Sequence, residues 1–102
     1  MTRPVYWTAA ALDDLKDQIA YIAADNPDAA DKIGARLWST AAALGEMATG
    51  RPGRVGGTYE KSVSRLSYII AYAIGTESSG EYVSILRIVH TARHWPPEGW
   101  PE

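Results

Sequence analysis

Residues 68–74 read Tyr-Ile-Ile-Ala-Tyr-Ala-Ile, and this run of aromatic and branched side chains predicts a strong β-strand. A second strand is predicted from Tyr82 to Val89, and the glycine- and serine-rich residues 75–80 between the two predict a hairpin loop. Both strands are largely apolar on both faces, whereas a strand with one face in water alternates apolar and polar residues. We therefore expect both faces of the sheet to be covered, one by this chain and the other, or a sheet edge, by another chain.

Two helices are predicted upstream of these strands. The first follows a cap at Thr8, and its apolar residues recur at steps of three and four: Leu12, Leu15, Ile19 and Ile22. The tripeptide Asp25-Asn26-Pro27 ends this helix and begins the next, because asparagine caps well and proline suits a first turn. The second helix, closed at Gly50, has the stripe Ile33, Leu37, Ala41, Leu44 and Ala48. So short a turn makes the two helices an antiparallel hairpin.

Shorter strands are predicted on either side of the helical hairpin, at Val5–Trp7 before it and at Tyr59–Leu66 after it. Residues 51–57, Arg-Pro-Gly-Arg-Val-Gly-Gly, predict a basic connector in front of the later strand. The fold class is therefore α+β, with an antiparallel sheet packed against a two-helix hairpin in the order β-α-α-β-β-β. We expect one domain over residues 1–95 and an extended, proline-rich tail over residues 96–102.

The 102 residues carry a net charge of −2, but this charge is divided unevenly along the chain. Residues 1–50 hold four basic and seven acidic side chains, and residues 51–95 hold six basic and three acidic. The excess of positive charge in residues 51–95 would steer an acidic partner toward the C-terminal half. The pI near 5.6, however, is low for a protein that binds nucleic acid. The chain has no cysteine, no secretory h-region and no apolar run of membrane length, which favours a cytoplasmic protein without membrane contact.

Candidate catalytic chemistry is sparse in this sequence. The only histidines, His90 and His94, are not spaced to share a metal ion, and neither has a Gly-x-Ser-x-Gly partner. We therefore expect no metal and no cofactor. Arg87 shares its predicted face with Ile85 and Val89, so it is either held by a carboxylate inside the fold or reads an anionic group outside it. His90 is either a packed strand-end residue or a base.

Four segments are distributed along most of the chain, between Asp14 and Pro96. They read D-L-K-D-Q-I-A-Y-I-A-A-D-N-P-D-A-A from Asp14 to Ala30, G-R-P-G-R-V-G-G-T-Y-E from Gly50 to Glu60, Y-I-I-A-Y-A-I from Tyr68 to Ile74 and I-L-R-I-V-H-T-A-R-H-W-P from Ile85 to Pro96. In this order, and in a chain of this length, they resemble the ParE branch of the RelE/ParE superfamily of bacterial toxins. The resemblance implies the RelE/ParE-like fold and the toxin role in a type II toxin–antitoxin system.

The resemblance also implies partners. A cognate antitoxin, itself a DNA-binding protein, would wrap and neutralise the toxin. ParE-like toxins poison DNA gyrase, whereas RelE-like members cut messenger RNA on the ribosome and carry an arginine directly after the residue that opens the strong strand. Ile69 takes that position here, and an apolar side chain cannot stabilise a phosphorane. Gyrase is therefore the expected target, with no direct nucleic-acid specificity; a ribosome-dependent endonuclease and a weakly toxic antitoxin-binding protein are the alternatives.

Two groups of residues are candidates for contact with these partners. The basic C-terminal half supplies the candidates for the target: Arg51, Arg54, Arg65, Arg87, Arg93 and Trp95. The first helix and the two strong strands supply the candidates for the antitoxin: Leu12, Leu15, Ile19, Ile69, Ile85 and Val89.

Overall fold

A computed structural model of the chain describes residues 2–63 and 65–91. Its elements follow in the order β1 (Val5–Trp7), α1 (Ala9–Ala23), α2 (Pro27–Glu46), β2 (Arg51–Pro52), β3 (Tyr59–Val63), β4 (Tyr68–Glu77) and β5 (Gly80–His90). Thr8 and Asn26 cap the two helices as predicted, and each side chain accepts a backbone N–H three residues on at 3.1 Å. The predicted tail, residues 96–102, lies outside the described residues.

The five strands form one sheet in the order β1-β5-β4-β3-β2. Neighbouring strands are antiparallel except for β1 and β5, which run parallel. A parallel pair needs a crossover connection, and the chain between these strands, beginning with α1 and α2, provides it. The α+β class, with a two-helix hairpin and a sheet, is confirmed, and the sheet is mixed because β1 joins it beside β5.

The last turn of α2 is in contact with the N-terminal segment. The helix ends at Glu46, before the predicted end at Gly50. Near this end the Gly45 carbonyl accepts the Arg3 N–H at 2.8 Å, and a Cβ at Gly45 would lie 2.5 Å from the Arg3 carbonyl oxygen. Beyond the helix the backbone is extended, and the chain turns at Gly50, where φ is +130°. Ala48 therefore lies outside the helix, although it still packs against the core.

A β-bulge in β5 determines which side chains of that strand face the helices. The register with β4 shifts between Ala71 and Tyr72, because Ala71 pairs with Arg87 and Tyr72 with Ile85. One extra residue on a strand reverses the alternation of faces beyond it. Ile85 and Ile88 consequently both lie in the core beneath the helices. The predicted grouping of Arg87 on one face with Ile85 is therefore wrong.

Two turns of the sheet also differ from the sequence prediction. The strands β4 and β5 pair out to their ends, so the hairpin loop is residues 78–79 rather than 75–80. The strand β3 ends at Val63 rather than at Leu66. Arg65, in the turn that follows, has φ +66°, which is left-handed backbone that glycine tolerates better than arginine.

The main core lies between the two helices and one face of the sheet. Its largest fully buried side chains are Tyr72, Leu37, Leu44, Ile70, Ile85, Val63 and Val83. The Tyr72 hydroxyl donates to the Thr49 carbonyl oxygen at 2.6 Å, which satisfies the polar end of that ring. A second, smaller cluster contains Ala71 and Val89, both buried, with Val55 packed against them. At these positions the chain covers the other face of the sheet by itself.

Candidate functional site

An ion pair between α1 and β5 occupies one edge of the sheet. Because β1 pairs with only three residues of β5, the edge of β5 beyond that point is open to α1. The Asp14 carboxylate binds at this open edge. Its Oδ2 accepts hydrogen bonds from the Ile88 backbone N–H at 3.0 Å and from the Arg87 Nε at 2.6 Å, and its Oδ1 accepts a hydrogen bond from the Arg87 Nη2 at 2.9 Å. The hydrogen bond to Asp14 raises the pKa of Arg87, although burial opposes it. Of the two interpretations of Arg87, the structure therefore shows a carboxylate partner inside the fold.

Glu60 of β3 is buried although it is charged, with only 5 % of its surface exposed. It lies opposite Arg51 of β2 in the ladder, and its Oε1 is 3.5 Å from the Arg51 Nη2. Its Oε2 accepts the Arg54 backbone N–H at 3.0 Å and the Arg54 Nε at 3.4 Å. One buried carboxylate thus joins the two arginines of the basic connector.

Residues 53–58 of the connector form a loop that is closed by backbone hydrogen bonds. The Gly53 N–H donates to the Thr58 carbonyl at 2.8 Å, and the Thr58 N–H donates to the Val55 carbonyl at 3.1 Å. Val55 packs against the smaller apolar cluster of the sheet. The loop therefore holds its arginine at a defined position beside the sheet.

The sequence-predicted target residues are separated by the fold. Arg51 and Arg54 meet on one carboxylate, and their side chains remain 65 % and 45 % exposed. Arg65 is exposed in the turn after β3, at the opposite end of that strand. Arg87 is engaged by α1. The remaining two candidates lie outside the described residues: Arg93 and Trp95.

The sequence-predicted antitoxin contacts lie mostly inside the fold. Four of them expose 7 % of their surface or less: Leu15, Ile69, Ile85 and Val89. Leu12 and Ile19 on α1 are half-buried. The apolar character of both faces of the strands therefore reflects burial within this chain, and only the last two side chains are partly open to a partner.

Exposed aromatic side chains flank the edge strand β1. Trp7 stacks on Trp38 of α2, with ring centroids 4.9 Å apart and planes 11° apart, and Trp38 remains 51 % exposed. Tyr6, on the other face of β1, meets Tyr82 edge to face at 5.6 Å. Large aromatic residues left partly in water often mark a contact with another molecule. None of these four residues is among the sequence-predicted contacts.

Sequence reasoning missed Asp14 and Glu60, the two carboxylates that organise these contacts. Asp14 lies 73 residues from its arginine, and Glu60 meets Arg51 through the register of β2 on β3. Only the placement of α1 and the strand register bring these charges together. The available signal was the position of Arg87 within an apolar strand, which predicted either a carboxylate inside the fold or an anionic group outside it, and did not identify the partner.

Neither a metal site nor a membrane-spanning helix is present among residues 2–63 and 65–91. Within these ranges no three histidine, cysteine, aspartate or glutamate side chains cluster as a metal site. No helix in the same ranges is both long enough and apolar enough to span a bilayer. His90 packs edge to face on Tyr68, with ring centroids 5.0 Å apart, which is the packed arrangement expected of a strand-end histidine.

Comparison with known proteins agrees with this architecture. Residues 5–95 match the family described as ParE toxin of type II toxin-antitoxin system, parDE. A protein of Sinorhizobium fredii (strain NBRC 101917 / NGR234), named "Putative toxin Y4kP", is 40 % identical over 93 residues, which are 90 % of this chain and 92 % of that protein. The solved structure "Chromosomal ParDE TA system from P. aeruginosa" has the same fold, with a TM-score of 0.78 at 22 % identity over 87 % of this chain and 96 % of that one. This chain therefore belongs to the ParE toxin family of type II toxin–antitoxin systems.

Proposed function

We propose that this toxin inhibits DNA gyrase and that a cognate, DNA-binding antitoxin neutralises it in the cytoplasm. The observation that carries the choice of target is Ile69. It takes the position at which RelE-like nucleases carry an arginine, it exposes only 5 % of its surface, and it pairs with Val89 of β5. A buried aliphatic side chain offers no cation to a phosphorane, so this position favours a gyrase poison over a nuclease.

The engagement of Arg87 supports the same choice. Cleavage of RNA needs cations that converge on the reacting phosphate. Arg87 gives both Nε and Nη2 to Asp14, and turning them toward RNA would leave a largely buried carboxylate without its partner. Such a rearrangement is costly. Arg87 is therefore better suited to holding α1 on the sheet than to catalysis.

The antitoxin is proposed to cover the exposed aromatic stack beside β1. Trp38 has one ring face on Trp7 and is half exposed, which is typical of an anchor residue in a binding interface. Leu12 and Ile19 of α1 supply further partly exposed apolar surface on the helical layer. A stable complex buries about 1,000 Å² or more in total.

The target assignment is tested with purified toxin and gyrase holoenzyme on relaxed plasmid with ATP. Supercoiling should fall with toxin concentration or the cleaved complex should accumulate, and prior incubation with the antitoxin encoded by the neighbouring reading frame should restore activity. Programmed ribosomes treated in parallel should keep intact message. Cleavage in the A site together with normal gyrase turnover would refute the proposal.

The antitoxin surface is tested by Trp38→Ala, which should raise the Kd for the antitoxin at least tenfold, or about 1.4 kcal/mol. Tyr21→Ala is the matched control, because Tyr21 is another aromatic residue, 65 % exposed, on α1. Saturating antitoxin should also raise the melting temperature of the wild-type toxin by linkage. Equal affinities for both variants would exclude the Trp38 surface from the interface.

A further inference from the structure

Glu60 is a buried carboxylate with an arginine on each of its two oxygens. Glu60 and Arg51 are opposite each other in the β2–β3 ladder, and on its other side Glu60 is opposite Ala71 of β4. A carboxylate in a buried place is costly unless it is paired, and apolar replacement of buried ion pairs is often neutral or stabilising. The position therefore gains little stability from its charge. Its specific effect is to bring two guanidinium groups to one point.

The carboxylate and the two arginines differ sharply in exposure. The Glu60 side chain is 4 % exposed, whereas the side chains of Arg51 and Arg54 are 65 % and 45 % exposed. The carboxylate therefore holds both arginines from the protein side while much of each remains in water. Because Arg54 is also bonded to Glu60 through its backbone N–H at 3.0 Å, the position of its main chain is fixed as well.

We propose that Glu60 is a positioning residue for a fork formed by Arg51 and Arg54, and that this fork binds a carboxylate of an acidic segment in a protein partner. The inference rests on the proposed function, in which the toxin acts by binding other proteins. Arginine presents a planar set of donors that matches a carboxylate, and a fork held in place loses less conformational entropy on binding.

The charge of the fork favours a protein partner over nucleic acid. Within the described part of the chain, only two guanidinium groups are joined at Glu60, and its carboxylate already lies between them. A protein that follows a nucleic-acid backbone neutralises several phosphates at once and is usually basic over the whole domain. This chain has a net charge of −2. A single carboxylate on a partner is a better match for a fork of two arginines.

Glu60→Gln separates positioning from simple charge, because the two predict opposite signs. The amide removes a negative charge, so affinity for an anion should rise if Glu60 is only a neighbouring charge. If Glu60 positions the fork, affinity should fall. The probe is the peptide acetyl-(Asp-Glu)₃-amide, with acetyl-(Asn-Gln)₃-amide as its uncharged counterpart, titrated into full-length toxin and followed by the arginine Nε–Hε signals.

We expect the acidic peptide to bind the wild type, the uncharged peptide to bind at least tenfold more weakly, and Glu60→Gln to weaken acidic-peptide binding about fivefold. Asp13→Asn on the exposed surface of α1 changes the net charge equally and should leave the affinity unchanged or slightly raised. An increase in affinity for Glu60→Gln would overturn the positioning role. Tighter binding of a twelve-nucleotide single-stranded DNA than of the peptide would overturn the class of ligand.

Arg51→Gln provides a second variant that does not depend on how the loop tolerates a change at Glu60, since Arg51 is largely exposed. It should lower peptide affinity about fivefold while the fold is retained, because Arg54 still pairs with Glu60, whereas Lys32→Gln, an equal change of charge on α2, should leave the affinity unchanged. Gyrase inhibition and antitoxin affinity of Arg51→Gln then identify the source of the carboxylate, since a fivefold loss in one assay alone points to that partner. No loss in either assay overturns the fork as a partner site. Failure of the wild-type toxin to inhibit gyrase would reject the proposed target without altering the peptide result.

Discussion

Replacing Asp14 by alanine should weaken the fold substantially, because it removes three hydrogen bonds at once. Two come from Arg87 and one from the Ile88 N–H at the edge of β5. Loss of one partner of a fully buried ion pair costs about 3–5 kcal/mol, since the other charge is left unpaired. Here the Arg87 and Asp14 side chains are 20 % and 14 % exposed, so water can reach part of the guanidinium. We expect a loss of about 2–3 kcal/mol, which for a domain of this size lowers Tm by about 10–20 °C.

The measurement is urea unfolding followed by circular dichroism for the wild type, Asp14→Ala, Arg87→Ala and the double variant. The two single losses should not add, and the coupling energy of the cycle should be about 1.5–2 kcal/mol. Asp13→Ala, the neighbouring exposed aspartate, is the matched control and should stay within about 0.5 kcal/mol of the wild type. Because the pKa of Arg87 is raised, the guanidinium stays charged and the loss should be constant across neutral pH. The assignment of Asp14 and Arg87 as a stabilising ion pair would be refuted if the free-energy losses of the two single variants were additive. It would also be refuted if Asp14→Ala cost no more stability than Asp13→Ala.

Three further changes test other parts of the fold by the same unfolding assay. Gly45→Ala should cost about 2–3 kcal/mol, because the new Cβ would lie 2.5 Å from the Arg3 carbonyl oxygen, whereas Gly56→Ala has no atom within 4 Å and should change stability by less than about 1 kcal/mol. Arg65→Gly should stabilise by about 0.5–1 kcal/mol because φ is +66° there, and a loss would show that the arginine side chain supports the turn. Burial, and to a smaller extent the electrostatic effect of Tyr59, raises the pKa of Tyr72 above its ordinary value of 10.0. Because Tyr72 therefore ionises at lower pH in the unfolded chain than in the folded one, stability should fall as the pH rises from about 10 through the folded pKa. Tyr72→Phe should lose about 1 kcal/mol at neutral pH and show a weaker alkaline dependence; an identical alkaline slope would point to other groups.

Much of the fold is predictable from the chain because its local signals agree with each other. The caps at Thr8 and Asn26 and the period of α1 all point to helices that the structure contains. Features that depend on tertiary contact are not available from local sequence. The last turn of α2 is bonded to Arg3, which is 42 positions away in the chain, and the bulge of β5 is a property of its pairing with β4. In the structure, α2 ends at Glu46 rather than near the predicted Gly50, and Arg87 lies on the opposite face of β5 from Ile85.

The candidate site was less predictable than the fold. Its arginines are visible as charges in the sequence, and the place of Arg87 in an apolar strand left two interpretations, an internal carboxylate partner or an external anionic group. The identity of that partner depends on which turn of α1 reaches the open edge of β5. In the same way, the sequence around Glu60 shows only a polar residue in a polar strand, and its pairing with Arg51 depends on the β2–β3 register. Pairing of charges across a fold follows from register and packing, which local patterns do not encode.

The position of β5 has a consequence for how the toxin is made. It is the last strand along the described chain, yet it lies second in the sheet and pairs with both β4 and β1. Val5 meets Val83 there, 78 positions later. A growing chain is made at about 5–20 residues per second, and pairing over such separations is slow. A nascent polypeptide that has not reached β5 lacks the strand on which both its first strand and its helices pack, so this sheet can be completed only after β5 has been synthesised.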